Sequence, residues 1–111
     1  AHRIPQAAAL RSRWERLVEV TSTLHAAGDL NVTLANASIY LEAFGHLVIG
    51  WIWLEQALVA AAAKQGDADF YAGKLQAFQY YFCFELPKVD AQLNLLASLD
   101  TTTLDMQDSW F

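Results

Sequence analysis

Between Ala37 and Ala63 the chain reads ASIYLEAFGHLVIGWIWLEQALVAAAA, a run without proline that carries Tyr40, Phe44, Trp51 and Trp53. A helix drawn through it is apolar nearly all the way round. Tyr40, Phe44, Leu47, Trp51, Leu54 and Leu58 fall on one side, Leu41, Val48, Ile52 and Val59 on a second, and Ile49 and Trp53 on a third. Such a helix has no broad side suited to water, so something must cover it. Its length permits a transmembrane span. Against that, His46, Glu55 and Gln56 lie inside the run, a central glutamate is costly in hydrocarbon, and no basic cluster flanks the segment. The residues therefore favour a buried helix of a globular domain.

The remaining segments supply part of the cover. Leu10, Trp14, Leu17, Thr21 and Leu24 recur at steps of four and three, with Arg11, Arg13, Glu15 and Glu19 on the other faces, which predicts an amphipathic helix over about 7–27. Pro5 lies just ahead of it, and Gly28 is a natural left-handed stop just after. Arg11 and Glu15, one turn apart, are expected to pair for a few tenths of a kcal/mol. Asp29, Asn31 and Thr33 offer capping oxygens, so the central helix is expected over about 32–64, ending before Gly66. Gly45 and Gly50 cost it about 1 kcal/mol each relative to alanine, and are expected to admit another helix at close range.

Asp67 is the candidate cap of a third helix over about 67–99, whose face is Tyr71, Leu75, Phe78, Phe82, Leu86, Val89, Leu93 and Leu96. Pro87 cannot donate to the Cys83 carbonyl and crowds it, which predicts a kink or short break near Cys83 to Leu86. The expected fold is all-α: an antiparallel bundle of three long helices, or four if Pro87 breaks the third. Residues 100–111 read as an extended tail, with Trp110 and Phe111 expected to dock on a surface.

Composition narrows the function. With 111 residues the chain fits a single domain, and 55% hydrophobic against 17% charged residues excludes disorder. A net charge of −5 with only seven scattered Lys and Arg excludes nucleic-acid binding. The single cysteine, Cys83, sits in an apolar run and reads as a buried thiol in a reducing, cytoplasmic setting. The opening AHRIPQ reads as the start of a processed chain or of a piece of a longer protein.

Catalytic and metal readings find little support in the residues. Glu42 and His46 share a face and could form half a metal site, but the paired Glu-x-x-His motifs of di-iron bundles are absent, and His2 and His25 lie near segment ends. His46 is expected to be hydrogen-bonded within the core or to Glu42. No nucleophile elbow, phosphate-cradling glycine loop or Cys–His arrangement can be read from spacing. Glu42, Glu55 and Glu85 read as interface or solvent-edge residues. Trp53, Tyr80, Tyr81 and Phe84 could line an aromatic cavity of a small ligand-binding bundle, although plain core is the simpler reading.

Several short patterns carry a resemblance: Ala35-Asn36-Ala37, Tyr40-Leu41, Phe44-Gly45-His46, Gly50-Trp51, Phe70-Tyr71 with Lys74-Leu75, and Leu86-Pro87. From Leu34 to Leu96 the chain resembles the C-terminal accessory domain of acyl-CoA dehydrogenase-like proteins, in the branch similar to 3-methylmercaptopropionyl-CoA dehydrogenase. The resemblance implies a parent flavoenzyme that oxidises an acyl-CoA at its α and β carbons through FAD, with a glutamate base in a separate and larger catalytic domain. That base cannot be carried over onto Glu42, Glu55 or Glu85, so this chain is expected to be noncatalytic and to hold no cofactor or metal of its own. Its expected partners are the catalytic body of the same protein or a second copy. The candidate interface residues are Tyr40, Phe44, His46, Trp51 and Trp53 on the central helix and Tyr80, Tyr81 and Phe84 on the third. Trp110 and Phe111 complete the set in the tail. The alternative is a free-standing helical module that homodimerises through Trp51 and Trp53.

Overall fold

In the computed structural model, which describes residues 4–111, every regular element is helical, and His2 lies outside the described residues. The elements are α1 (Pro5–His25), α2 (Leu30–Leu34), α3 (Ala37–Ala62), α4 (Ala68–Tyr80), a π-helical turn (Tyr81–Glu85), α5 (Lys88–Ala97), α6 (Thr102–Asp105) and a 3-10 turn (Asp108–Trp110). The helical class agrees with the sequence; the division into segments is finer than the three long helices expected from it.

Each boundary has a local cause. Pro5 opens α1, where a missing amide costs nothing, and Gly28 takes the left-handed conformation just beyond it. Asp29 caps α2 by accepting from the Asn31 amide at 2.9 Å. Residues 32–64 are not one helix. Asn36 leaves helical geometry (φ −119°, ψ 35°), and its side-chain amide donates to the Asp100 carbonyl at 2.9 Å, tying this joint to the far end of the chain. At α4 the Asp67 carboxylate accepts from the amides of Asp69 and Phe70, as its position predicts.

Pro87 interrupts the third helix where the break was expected, between α4, which ends at Tyr80, and α5, which starts at Lys88, and the break takes the form of a π-turn. Because Pro87 has no amide to donate, the preceding turn widens: the Leu86 amide reaches back five residues to the Tyr81 carbonyl at 2.8 Å, and α5 follows almost at once. The widened turn absorbs one residue, so Phe78, Tyr81, Phe82, Leu86, Val89, Leu93 and Leu96 all still face the core. Cys83 turns outward. It is an exposed thiol, and the expectation of a buried one fails because Phe82 takes the inward position.

The core forms where α3 packs against α1, α4 and α5, with α1 also against α5. Leu47, Leu86, Leu93, Leu96, Val20 and Val89 are its fully enclosed side chains. Gly50 is the close approach anticipated for a glycine: a β-carbon there would meet Leu86 Cδ1 at 3.3 Å and Leu10 Cδ1 at 3.4 Å. Gly45 has no such neighbour. Arg11 and Glu15 do not form the expected pair. Arg13 instead makes a two-pronged bond to Asp90, with Nε and Nη2 each 3.0 Å from a carboxylate oxygen, linking α1 to α5.

The tail is not extended. The Asp100 carboxylate accepts from the Thr102 amide at 2.9 Å and starts α6, the Thr103 hydroxyl donates to the Ala35 carbonyl, and a 3-10 turn follows. Trp110 and Phe111 are 68% and 94% exposed, so neither docks on this chain.

Candidate docking surface

A helix apolar on every side can bury only the part its neighbours reach. In α3 that part is the narrow one: Ala43, Leu47, Gly50, Ala57 and Ala60 are buried, with Leu54 packed at their edge. Small side chains let α1, α4 and α5 approach closely, so the larger residues are left facing out. Leu41 is 69% exposed, Trp51 51% and Val59 68%, with Phe44, Ile49, Ile52 and Leu58 exposed beside them. Of the most apolar 18-residue window in α3 only 28% is buried, and the helix is long and apolar enough to cross a membrane by length and composition. An uncovered apolar area of this kind on a folded domain marks a contact surface.

The structure separates the sequence-derived candidates into outward and inward groups. Phe44 and Trp51 lie outward on α3. The Trp14 ring meets Phe44 edge-on at 5.6 Å, and Tyr40 stacks on Phe44 at 6.4 Å while its hydroxyl lies 2.8 Å from that of Thr21. Tyr80 and Phe84 stack on each other at 4.9 Å on the outside of α4 and the π-turn. Trp53 is half-buried, with the Lys74 ammonium 5.7 Å from its ring centre and 5.3 Å from that of Phe70. Trp110 and Phe111 project at the tail.

Tyr81 and His46 face inward and form a polar tie rather than a contact patch. The Tyr81 hydroxyl donates to the His46 carbonyl at 2.6 Å, and His46 Nδ1 donates to the Glu42 carbonyl at 3.1 Å. His46 Nε2 lies 3.5 Å from Glu85, which also binds Lys88 at 3.0 Å. This joins the middle of α3 to the π-turn. Burial, with Glu85 close by, pushes the Tyr81 hydroxyl up to about 12, and the Lys88 hydrogen bond holds the Glu85 carboxyl below its usual range. The Tyr81 contribution to stability is therefore complete below about pH 10, where an unfolded tyrosine ionises, and falls away as pH rises through about 12. Glu85 acts in the opposite direction, its contribution being lost as pH falls below the ordinary carboxylate range. Tyr81→Phe is expected to cost about 1 kcal/mol at pH 7 through the lost hydrogen bond, and to flatten the stability profile between pH 10 and 12 in denaturant unfolding.

Two apolar grooves flank α3. The larger, about 500 Å³, is lined by Glu55, Gln56, Val59, Ala60, Phe70, Tyr71 and Lys74; a second of about 230 Å³ lies between Thr21, Leu24, Thr33, Leu34, Tyr40 and Leu96. Trp53, Tyr80, Tyr81 and Phe84 line neither, so the aromatic cavity considered from sequence is not assembled at these grooves. Among the described residues no three or more His, Cys, Asp or Glu converge as metal ligands. Sequence reasoning missed the burial of Ala43, Ala57 and Ala60, which form the narrow side of α3.

The described residues form a helical domain with a built core and an uncovered apolar face on α3. The chain matches the family described as Acetyl-CoA dehydrogenase C-terminal like over residues 3–107, and it belongs to that family. It is 33% identical over 101 residues to a butyryl-CoA dehydrogenase of Syntrophomonas wolfei subsp. wolfei, an alignment covering 84% of this chain and 17% of that protein. It is also 29% identical over 77 residues to the broad-specificity linear acyl-CoA dehydrogenase FadE5 of Mycobacterium tuberculosis, covering 65% of this chain and 13% of that protein. The chain thus spans less than a fifth of the length of these relatives. No solved structure matches it.

Proposed function

We propose that this chain is the noncatalytic C-terminal packing domain of a longer cytoplasmic acyl-CoA dehydrogenase, in the branch similar to 3-methylmercaptopropionyl-CoA dehydrogenase. Its role is to seat an apolar face of α3 on the catalytic body. The observation that carries this is the outward stripe Phe44, Trp51 and Leu58, which recurs every seven residues along α3 and lies uncovered in a domain whose own core is complete. The aromatic pair Tyr80 and Phe84 and the tail residues Trp110 and Phe111 are further points of attachment.

The relatives' names support dehydrogenation of acyl-CoA by the whole protein, and the family implies FAD as the electron acceptor. The residues here do not fit FAD. A dinucleotide pyrophosphate calls for a glycine-rich turn at a helix start or several cations. The larger of the two grooves that flank α3 offers a single ammonium, Lys74, with Glu55 also on its wall. No reaction step is therefore assigned to this chain.

Removing the domain from the full-length protein tests the role. The truncated enzyme is expected to keep its flavin and its rate per active site while unfolding at a lower temperature. A truncated enzyme that remains folded and flavin-loaded but has lost the chemical step would overturn the noncatalytic reading.

A further inference from the structure

His46 presents both ring nitrogens to oxygen atoms that accept. Nδ1 lies 3.1 Å from the Glu42 carbonyl, one turn back on α3, and Nε2 lies 3.5 Å from the Glu85 carboxylate of the π-turn. A neutral imidazole has one N–H to give. A carbonyl only accepts, so the neutral ring carries its proton on Nδ1 and turns the Nε2 lone pair toward a carboxylate. The imidazolium has a second N–H, on Nε2, and that one answers Glu85. The separation is a few tenths of an ångström beyond the usual range for such a bond, about 2.7–3.2 Å, so the contact has room to shorten.

The surroundings keep the carboxylate charged. The Lys88 ammonium reaches both Glu85 oxygens, at 3.2 and 3.0 Å, and this hydrogen bond, with a smaller contribution from His46, holds the Glu85 carboxyl below its usual range. Glu85 is therefore ionised throughout the span, about pH 5 to 8, in which histidine changes charge. Tyr81, stacked on the His46 ring at 6.3 Å, stays protonated there, its hydroxyl being pushed up to about 12. Among the described residues no other carboxylate lies within ion-pair distance of His46. On α1, Glu19 pairs with Arg16, and Arg13 pairs with Asp90 of α5. On α4, Lys74 lies over Trp53 and Phe70.

We propose that protonation of His46 closes a latch between α3 and the π-turn, the imidazolium donating from Nδ1 to the Glu42 carbonyl and from Nε2 to the Glu85 carboxylate. Only the folded chain sets Glu85 against the second N–H, so folding favours proton uptake, and the latch strengthens as pH falls and is lost as pH rises. It adds to the Tyr81 bond at the same joint. It also fixes α3, which carries Phe44 and Trp51 outward, to the segment that carries Tyr80 and Phe84, so mild acid firms the relation between two parts of the candidate docking surface.

The test uses the 111-residue chain, which carries its own core. Nitrogen-15 spectra of the histidine side chains report the tautomer directly: the neutral His46 ring is expected to hold its proton on Nδ1, and a proton on Nε2 in that form overturns the proposal. Urea unfolding then reads the latch itself. The excess of the wild-type midpoint over that of His46→Gln is expected to be larger at about pH 5.5 than at about pH 8, and this growth to vanish in a Glu85→Ala background. His2 and His25 are present in every variant and cancel from the comparison. Lys88→Gln leaves both partners of the latch in place and is expected to preserve the growth. An excess equal at the two pH values overturns the proposal, as does one that persists without Glu85 or disappears without Lys88. The tautomer needs no substitution, so it judges the proposal even where a variant fails to fold.

Discussion

Leu86→Ala is expected to remove about 2 to 5 kcal/mol of stability from the domain, measured as a fall in the urea midpoint with an unchanged slope. Leu86 is fully enclosed at the point where the π-turn passes into α5, and it fills the space that the missing Gly50 side chain leaves against α3. Truncation opens a cavity that α3 cannot collapse into, because Tyr81 holds the neighbouring turn through the His46 carbonyl. Against a total stability of roughly 5 to 15 kcal/mol for a domain of this kind, that loss is a large share of the whole. Val59→Ala is the contrasting case. Val59 loses equally apolar atoms but lies in the open, so a change within about 0.5 kcal/mol is expected in the monomer.

The second large effect is conditional on the rest of the protein. Trp51→Ala should change the isolated chain by about 1 kcal/mol or less, since half of the ring already meets water. In the full-length enzyme the same change is expected to cost about 2 kcal/mol or more in the docking of this domain on the catalytic body. Large aromatic residues at the centre of an apolar patch carry a disproportionate share of contact energy. The readout is the temperature at which the domain becomes susceptible to protease in the full-length protein. The difference between the two contexts carries the information, because a purely structural role for Trp51 would lower both alike.

The residues made some of this legible and hid the rest for identifiable reasons. The excess apolar surface of Ala37 to Ala63 could be read directly, because no three-helix arrangement can enclose a helix without a polar side. Which side goes inward could not. A uniformly apolar helix has no periodicity to break the tie, and the decision fell to side-chain volume, with Gly50 and the alanines admitting neighbours that Trp51 and Ile52 would hold off. Helix ends marked by Gly28 and Asp67 were readable because one side chain or one backbone freedom sets each of them. The break at Asn36 was not, since its partner Asp100 is distant in sequence. The same holds for Arg13 and Asp90. At Pro87 the missing hydrogen bond made the interruption of the helix evident, whereas its form, a widened π-turn, could not be read from the residues. Tyr81 was proposed as a contact residue, whereas its hydroxyl turns to the His46 carbonyl and ties the π-turn to α3; the His46 bond to Glu42 was legible from their spacing of four.

Side-chain footprinting of Trp51 by hydroxyl radicals tests the central claim most directly, comparing the dilute 111-residue chain with the full-length enzyme under the same dose. Covered by the catalytic body, Trp51 is expected to be modified several-fold more slowly in the full-length protein than in the chain alone, whereas equal rates in the two would contradict the account.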